Sequence, residues 1–217
     1  MKHNFLFDLD GTLVDSLPGI AASLSAALPK SAIGVSELRP YIGPPIRSIL
    51  RALTEPVSES DLDRMEQVFR RSYDSEGWRG TAEYFGARAA LEQLQLAGKR
   101  MFLVTNKPAA PTTGILGSLG LSGYFEAVLT PDSRIPAFLN KAEMLAFLVE
   151  KHQLDIAASL MVGDTGDDCG AAESLGMAVV LLAHGYGDER LRDSARCSVV
   201  PDLSAILKWS VQYGAEA

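Results

Sequence analysis

The residues best suited to chemistry follow the first apolar segment of the chain. In the string Asp8-Leu9-Asp10-Gly11-Thr12, two carboxylates stand two positions apart, directly after residues 4–7. Residues two apart in an extended backbone point the same way, so both carboxylates can face one pocket. Gly11 permits a sharp turn there, and Thr12 can offer its hydroxyl or its N–H to an anion. Two close carboxylates suit a hard cation such as Mg²⁺, although the string alone also fits an acidic turn.

A second acidic group follows the apolar run at residues 160–163. Asp164, Asp167 and Asp168 place three carboxylates within five residues. Like charges at this density destabilise a fold unless a cation or a positive side chain compensates them. We expect Asp164, next to the apolar run, to bind a metal ion. For Asp167 the better interpretation is an acidic residue at the N-terminus of a helix, where negative charge is favourable.

Uncharged and basic candidates occupy three further places in the chain. Thr105 and Asn106 end the apolar run that begins at Arg100, and their hydroxyl and amide groups can hydrogen-bond phosphate oxygens. Lys141 begins a predicted helix and can supply a fixed positive charge. Arg47, after Pro44-Pro45-Ile46, can reach a carboxylate or a second phosphate, although a solvated helix residue fits it as well.

The pattern of apolar residues predicts the elements that position these groups. Short apolar runs are expected to be buried strands: residues 4–7, 100–105, 127–130, 160–163, 178–182 and 198–200. Helical spacing lies between most of them, which favours an α/β fold with a parallel sheet and helices on both sides. Residues 17–80 differ, since they show helical stripes and no buried strand, and they predict a helical insert.

Composition excludes several classes of protein. The 217 residues carry a formal net charge of −7 and are 47% hydrophobic, as in globular proteins. The acidic balance argues against nucleic-acid binding, and no apolar run is long enough to span a membrane. Asp8 and Asp10 interrupt the N-terminal apolar stretch, which argues against a signal peptide. Cys169 and Cys197 are too few for a disulfide framework, so a cytoplasmic protein is expected.

Taken together, the motifs resemble those of the haloacid dehalogenase-like hydrolase superfamily over nearly the whole chain. Asp8-Leu9-Asp10-Gly11-Thr12 matches its first motif, Thr105 the second, Lys141 the third, and Gly163-Asp164-Thr165 through Asp168 the fourth. The third motif departs from the frequent Lys-Pro pattern, so Lys107 or Arg134 can substitute for Lys141.

The strings Ile42-Gly43-Pro44-Pro45 and Gly185-Tyr186-Gly187 are similar to the phosphoglycolate phosphatase-like and nucleotidase-like branch. The resemblance implies a Rossmann-like three-layer α/β/α core with a parallel sheet, formed by residues 1–15 and 81–217. It also implies a small, all-helical cap at residues 16–80, inserted after the first core strand.

The resemblance also implies an activity: an Mg²⁺-dependent phosphatase that hydrolyses a small phosphomonoester through an aspartyl-phosphate. Asp8 is then the nucleophile and Asp10 the acid and base. The metal ligands are Asp8, Asp10 through its backbone carbonyl, and Asp164, while Asp168 orients Lys141 or a metal-bound water. The expected substrate-binding residues are Thr12, Thr105, Asn106, Lys141 and Arg47.

Other functions remain open at this point. A 5'-nucleotidase, a pyrophosphatase or a sugar phosphomutase would use the same groups, and a non-catalytic binding module is the alternative from another class. Loss of Asp8, Asp10 or Asp164 would mark such a module, and all three residues are present. The expected partner is a small phosphorylated metabolite rather than a nucleic acid or a membrane, and the expected state is a monomer or a homodimer.

Overall fold

The computed structural model describes residues 2–28, 35–54, 56–187 and 197–207. Within these residues, one parallel sheet contains β1 (Asn4–Phe7), β4 (Arg100–Val104), β5 (Ala127–Leu129), β6 (Ser159–Gly163), β7 (Ala178–Leu182) and β8 (Ser198–Val200). The strand order is β5-β4-β1-β6-β7-β8. The α/β fold class predicted from the alternating pattern is confirmed. Each strand coincides with a predicted apolar run to within a residue at either end.

Helices cover both faces of this sheet because consecutive side chains of the strands, which point to opposite faces, are mostly apolar. One face packs against α5 (Ala87–Leu96) and α6 (Ala109–Ser118), around Phe5, Phe7 and Leu103. The other face packs against α7 (Lys141–His152) and α8 (Gly166–Ser174), around Leu6 and Phe102. The result is the predicted three-layer arrangement.

A separate helical cluster follows β1 in the chain. Its helices are α1 (Leu17–Ala27), α2 (Val35–Leu38), α3 (Ile46–Thr54) and α4 (Glu59–Ser75). The predicted stripes lie inward, so that Leu24, Leu50 and Leu62 are buried together. Among the described residues from 17 to 80 there is no strand, as the sequence pattern indicated.

A short antiparallel ribbon brings the two ends of this helical cluster side by side. β2 (Val14–Asp15) pairs with β3 (Ala82–Glu83), with Val14 opposite Glu83 and Asp15 opposite Ala82. Sequence patterns missed both strands, because two residues are too few to show an alternation. The ribbon adjoins both ends of the cap predicted at residues 16–80, and we propose that it acts as the hinge of that cap.

The two cysteines lie together, buried in the core between the sheet and the layer of α7 and α8. Cys169 on α8 forms a disulfide with Cys197, just before β8, with their Cα atoms 6.3 Å apart. The cysteine count argued against a disulfide framework and did not anticipate this single bond. The pairing arises because β7 and β8 bring residue 197 back beside α8. No helix in the described ranges is both long and apolar enough to cross a membrane.

Helix α7 illustrates why the described elements form where they do. The side chain of Asn140 accepts a hydrogen bond from the Glu143 N–H at 2.9 Å and caps the helix. The helix ends at Gln153, whose φ of 51° lies in the left-handed region. Leu145 and Leu148 between these ends are fully buried against the sheet.

Replacing Leu148 by alanine tests this packing. We expect Leu148→Ala to lower the free energy of unfolding by about 2–5 kcal/mol, because it leaves a cavity under the sheet. The measurement is urea unfolding, with Glu150→Ala on the exposed side of the same helix as the matched control. Equal stability of the two variants would contradict the assignment of Leu148 to the core.

Candidate active site

The ends of three neighbouring strands bring the candidate catalytic residues together. β1 lies between β4 and β6, so Asp8, Thr105 and Asp164 follow adjacent strands at one edge of the sheet. The Asp8 N–H donates to the carbonyl oxygen of Val162 at 2.9 Å, which continues the pairing of β1 with β6 past the end of β1. Ligands bind at this edge in open α/β sheets.

Lys141 lies buried between two carboxylates of this group. Its Nζ is 2.6 Å from Asp168 Oδ1 and 3.1 Å from Asp8 Oδ1, and the residue is only 2% exposed. The alternatives to Lys141 have other partners. Arg134 pairs with Glu143, and Lys107 pairs with Asp10. The structure therefore brings Lys141, rather than Lys107 or Arg134, to Asp8.

Burial and mutual repulsion alter the acidity of the central groups. Burial raises the pKa of Asp8 to about 7, with Asp168 and Asp10 adding to the effect and Lys141 opposing it. Burial also raises the pKa of Asp164 well above its ordinary value, as do Asp168 and Asp8. For Lys141, burial opposes the charge, but Asp168 and Asp8 outweigh it and raise the pKa.

Both carboxylate oxygens of Asp168 accept hydrogen bonds, from four donors in all. Its Oδ1 accepts from Lys141, and its Oδ2 accepts from the Asp164 N–H at 3.2 Å and from the Thr165 N–H at 3.0 Å. The Thr165 hydroxyl also donates to Oδ2, in a capping box that begins α8. Asp168 thus orients Lys141 while it shapes the turn that presents Asp164.

Asp10 is held by a lysine that links the core to the helical cluster. Lys107 Nζ lies 2.9 Å from Asp10 Oδ2 and donates to the Tyr73 hydroxyl at 2.7 Å. Tyr73 belongs to α4, so this contact crosses from one part of the fold to the other. Asp10 Oδ1 is buried without a hydrogen bond to the described residues.

The carboxylates fit a divalent cation. Asp8, Asp164 and Asp168 each offer an oxygen, and these oxygens lie within 4.8 Å of one another. Asp8 Oδ1 is also buried: it has the Lys141 ammonium at 3.1 Å but no hydrogen bond of good geometry to the described residues. Three buried carboxylates against one ammonium group leave negative charge uncompensated, and oxygen donors are what Mg²⁺ prefers. Since Asp168 already accepts from four donors, Asp8 and Asp164 are the side chains that fit a metal best.

Asp164 is positioned by a loop and a turn from distant parts of the chain. The Tyr186 N–H donates to Asp164 Oδ2 at 2.6 Å, and the Thr12 hydroxyl donates to Oδ1 at 3.2 Å. The backbone must approach closely here: at Gly11, whose φ is +80°, a Cβ would lie 2.0 Å from Asp164 Oδ2. A Cβ on Gly185 would lie 2.2 Å from the Asp164 Cβ, so both positions require glycine.

Two residues predicted to bind substrate have other partners in the structure. The Thr12 hydroxyl is used by Asp164, and its N–H donates to the Leu9 carbonyl at 3.2 Å. Arg47 pairs with three carboxylates of α4, from Glu59, Asp63 and Glu66, at 2.7 to 3.2 Å. Arg47 is drawn to this acidic surface because α3 packs beside α4. These partners disfavour both side chains as substrate ligands.

Thr105 and Asn106 lie at the junction of the sheet and the helical cluster. Thr105 is buried, and its hydroxyl accepts from the Lys107 N–H at 3.2 Å. Asn106 donates to the Gly43 carbonyl at 3.1 Å and to Asp167 at 2.7 Å. Asp167, interpreted from sequence as a helix-terminal charge, does lie in the first turn of α8.

Sequence reasoning gave no role in the site to Tyr73 or Tyr186. Tyr73 lies within the helical stripes of residues 17–80, and Tyr186 lies within the string Gly185-Tyr186-Gly187. The phenol of Tyr186 accepts from the N–H groups of Ser16 and Leu17 and donates to Asp15, at the start of α1. The glycines on both sides of Tyr186 are the sequence signal that could have indicated a close approach of this backbone to another residue.

A cavity separates the strand ends from the helical cluster. It is lined by Asp8, Asp10, Ile20, Ile42, Gly43, Pro44, Pro45, Ile46, Ile49, Phe69, Arg70, Tyr73, Thr105, Asn106, Lys107 and Pro108. Its volume is about 560 Å³, part of which is open to solvent. The two carboxylates, Thr105, Asn106 and Lys107 come from the strand ends. The helices supply most of the apolar residues and also Arg70 and Tyr73.

Known proteins resemble this chain in both sequence and fold. A phosphoglycolate phosphatase of Vibrio parahaemolyticus is 34% identical over 93% of each chain. One of Pseudomonas syringae is 31% identical over 97% of this chain and 80% of its own. A crystal structure described as a predicted phosphatase from Clostridium acetobutylicum matches the fold with a TM-score of 0.88, covering 98% of this chain and 99% of its own at 24% identity.

A further solved structure is described as a predicted phosphoglycolate phosphatase from Haemophilus somnus. It is 28% identical, with a TM-score of 0.80 over 96% of this chain and 98% of its own. Residues 5–182 match the sequence profile described as haloacid dehalogenase-like hydrolase. The resemblance inferred from the four motifs is thus confirmed, and the chain belongs to the haloacid dehalogenase-like hydrolase family.

Proposed function

We propose that this protein is a phosphatase that hydrolyses a small phosphomonoester of the phosphoglycolate type, with an aspartyl-phosphate on Asp8 as intermediate. The observation that carries the proposal is the buried Asp8, which faces the cavity with Lys141 at 3.1 Å and has Asp10 in the same cavity. The phosphoglycolate phosphatases named above, at 31% and 34% identity, support the substrate type.

In the first step, an oxygen of Asp8 forms a bond to phosphorus while the bond from phosphorus to the leaving oxygen breaks. Asp10, protonated for this step, gives its proton to that oxygen. Lys141 offsets the repulsion between the Asp8 carboxylate and the phosphoryl oxygens, because its charge is held next to Asp8. Thr105 lines the cavity and would donate its hydroxyl hydrogen to one of those oxygens. Asn106 also lines the cavity, and its amide would have to leave Gly43 or Asp167 to donate to another.

In the second step, a water molecule attacks phosphorus and gives a proton to the Asp10 carboxylate. The bond between phosphorus and Asp8 breaks, which regenerates the Asp8 carboxylate and releases inorganic phosphate. Asp10 Oδ1 suits both proton transfers, because it has no hydrogen-bond partner among the described residues while Oδ2 is held by Lys107.

Asp8, Asp164 and the backbone carbonyl of Asp10 would hold the Mg²⁺ ion. When bound, the ion neutralises charge on the phosphoryl group and favours the ionised form of Asp8. Thr12 and Tyr186 keep the Asp164 carboxylate in a fixed orientation for this role.

A phosphate-release screen distinguishes this proposal from related activities. Its substrates are phosphoglycolate, sugar phosphates, nucleoside monophosphates and pyrophosphate, each with and without Mg²⁺. Preference for a nucleotide or for pyrophosphate would favour a nucleotidase or a pyrophosphatase. Conversion of a sugar phosphate to its isomer without phosphate release would indicate a mutase.

Mg²⁺ is expected to stabilise the protein, because it binds the folded cluster and not the unfolded chain. A 100-fold excess over the dissociation constant adds about 2.7 kcal/mol to the free energy of unfolding. The stabilisation should be larger at pH 8 than at pH 6, since the metal competes with protons and the pKa of Asp8 is about 7.

Thermal melts with and without Mg²⁺ measure this effect, and a chelator should abolish phosphate release. Asp164→Asn should remove the shift in melting temperature. Asp167→Asn, in the same turn but exposed, should keep it. An equal shift in both variants would show that the metal binds elsewhere.

Asp8→Asn should lower kcat by at least about 100-fold, because an amide is not a nucleophile. The fold should persist, since the amide is nearly isosteric with the carboxylate. Phosphate release and a thermal melt on the same sample check both parts. A folded variant with substantial residual turnover would exclude Asp8 as the nucleophile.

Asp10→Asn should leave Asp8 able to attack an activated aryl phosphate, whose leaving oxygen needs little protonation. The second step should slow more than the first, because the amide cannot accept a proton from water at neutral pH. Phosphorylated protein should then accumulate, and mass spectrometry after an acid quench should find the phosphate on the peptide that contains Asp8. Wild-type turnover of an unactivated ester by this variant would contradict the role given to Asp10.

A further inference from the structure

The wall of the cavity opposite the strand ends is mostly apolar. Its side chains from α1, α3, α4 and the loop before α3 are Ile20, Ile42, Ile46, Ile49 and Phe69. These five side chains offer no hydrogen-bond partners to the hydroxyl groups of a sugar. A buried polar group left without a hydrogen bond costs about 1–3 kcal/mol, so this wall disfavours polyhydroxylated leaving groups.

Two cations line this cavity among the described residues, and they differ in how firmly they are held. Lys107 is buried and engaged by both Asp10 and Tyr73. Arg70, on α4, forms an ion pair with Glu66 at 3.5 Å, one helical turn earlier on a partly exposed face. A partly exposed pair at this distance contributes little, so Arg70 can take another carboxylate at small cost.

The position of Arg70 on α4 favours a contact with the leaving group of the substrate rather than with its phosphate. Phe69 and Tyr73, its neighbours on the same helix, line the cavity with it. The phosphoryl end of the substrate belongs at the strand ends, beside Asp8 and Lys141. A guanidinium group on the helical wall is therefore suited to the far end of a short substrate, where its planar pair of donors matches a carboxylate.

We propose that Arg70 binds a carboxylate on the leaving group, so that the site selects small phosphomonoesters with an acidic end over sugar phosphates. The methylene carbons of such a substrate would lie against the isoleucines of the apolar wall. This inference rests on the proposed phosphatase function and deepens it by assigning the residue that recognises the leaving group.

The test compares two short esters that differ in the recognised group. 2-Phosphoglycolate carries the carboxylate, and 2-hydroxyethyl phosphate replaces it by a neutral hydroxymethyl group. In Arg70→Gln, kcat/KM for 2-phosphoglycolate should fall by about 10- to 100-fold, mainly through KM. The value for 2-hydroxyethyl phosphate should change by less than about threefold. Arg70→Lys, which keeps the charge but loses the paired donors, should be intermediate.

Arg71→Gln is the matched control, because Arg71 is the next residue on α4 and is exposed. It should behave as the wild type on both esters. Equal losses on both esters in Arg70→Gln, no loss on 2-phosphoglycolate, or a wild-type preference for glucose 6-phosphate would each overturn the assignment. Failure of the wild type to release phosphate from any monoester would instead overturn the proposed function.

Discussion

The buried ion cluster around Lys141 is the constraint on which the rest of the site depends. Burying carboxylates is costly, and the cost is met only where a fixed positive charge and hydrogen bonds compensate for lost water. Lys141 contacts Asp8 and Asp168, while Asp168 also accepts two N–H bonds from the turn that carries Asp164. The position of each charged group is therefore fixed by the others.

The cluster remains short of positive charge, and this shortage is useful chemically. Burial, together with the repulsion among these carboxylates, raises the pKa of Asp8 to about 7 and that of Asp164 well above its ordinary value. A divalent cation bound by Asp8 and Asp164 would relieve the repulsion. The same arrangement that destabilises the cluster without metal thus favours metal binding, as is common where perturbed acidities mark functional sites.

Several contacts join the helical cluster to the core directly around this site. Lys107 reaches Tyr73 on α4, Asn106 reaches the Gly43 carbonyl, and Arg39 donates to the His184 carbonyl at 2.6 Å. Lys107 also contacts Asp10, and Asn106 also donates to Asp167. His184 lies two residues before Tyr186, whose N–H donates to Asp164. Movement of the helices would break these bonds, so we propose that cap position and site geometry change together. Such coupling between closure and assembly of a site is a recurrent property of enzymes with lids.

Much of this architecture is encoded locally and was predictable from the sequence. Apolar runs such as residues 4–7 and 178–182 are strands because they are buried on both faces, and the stripes of residues 17–80 are helices because one face is apolar. The acidic residues that follow two such runs lie at one sheet edge, because parallel strands end on the same side.

Only the tertiary structure decided which side chains meet. Lys141, Lys107 and Arg134 are equivalent as charges in a sequence, yet the strand order and the start of α7 place Lys141 alone of the three beside Asp8. The partners of Thr12, Arg47 and Tyr186 likewise depend on residues far away in the chain. Sequence periodicity reports burial and local conformation, whereas a hydrogen bond between distant segments depends on how the elements pack.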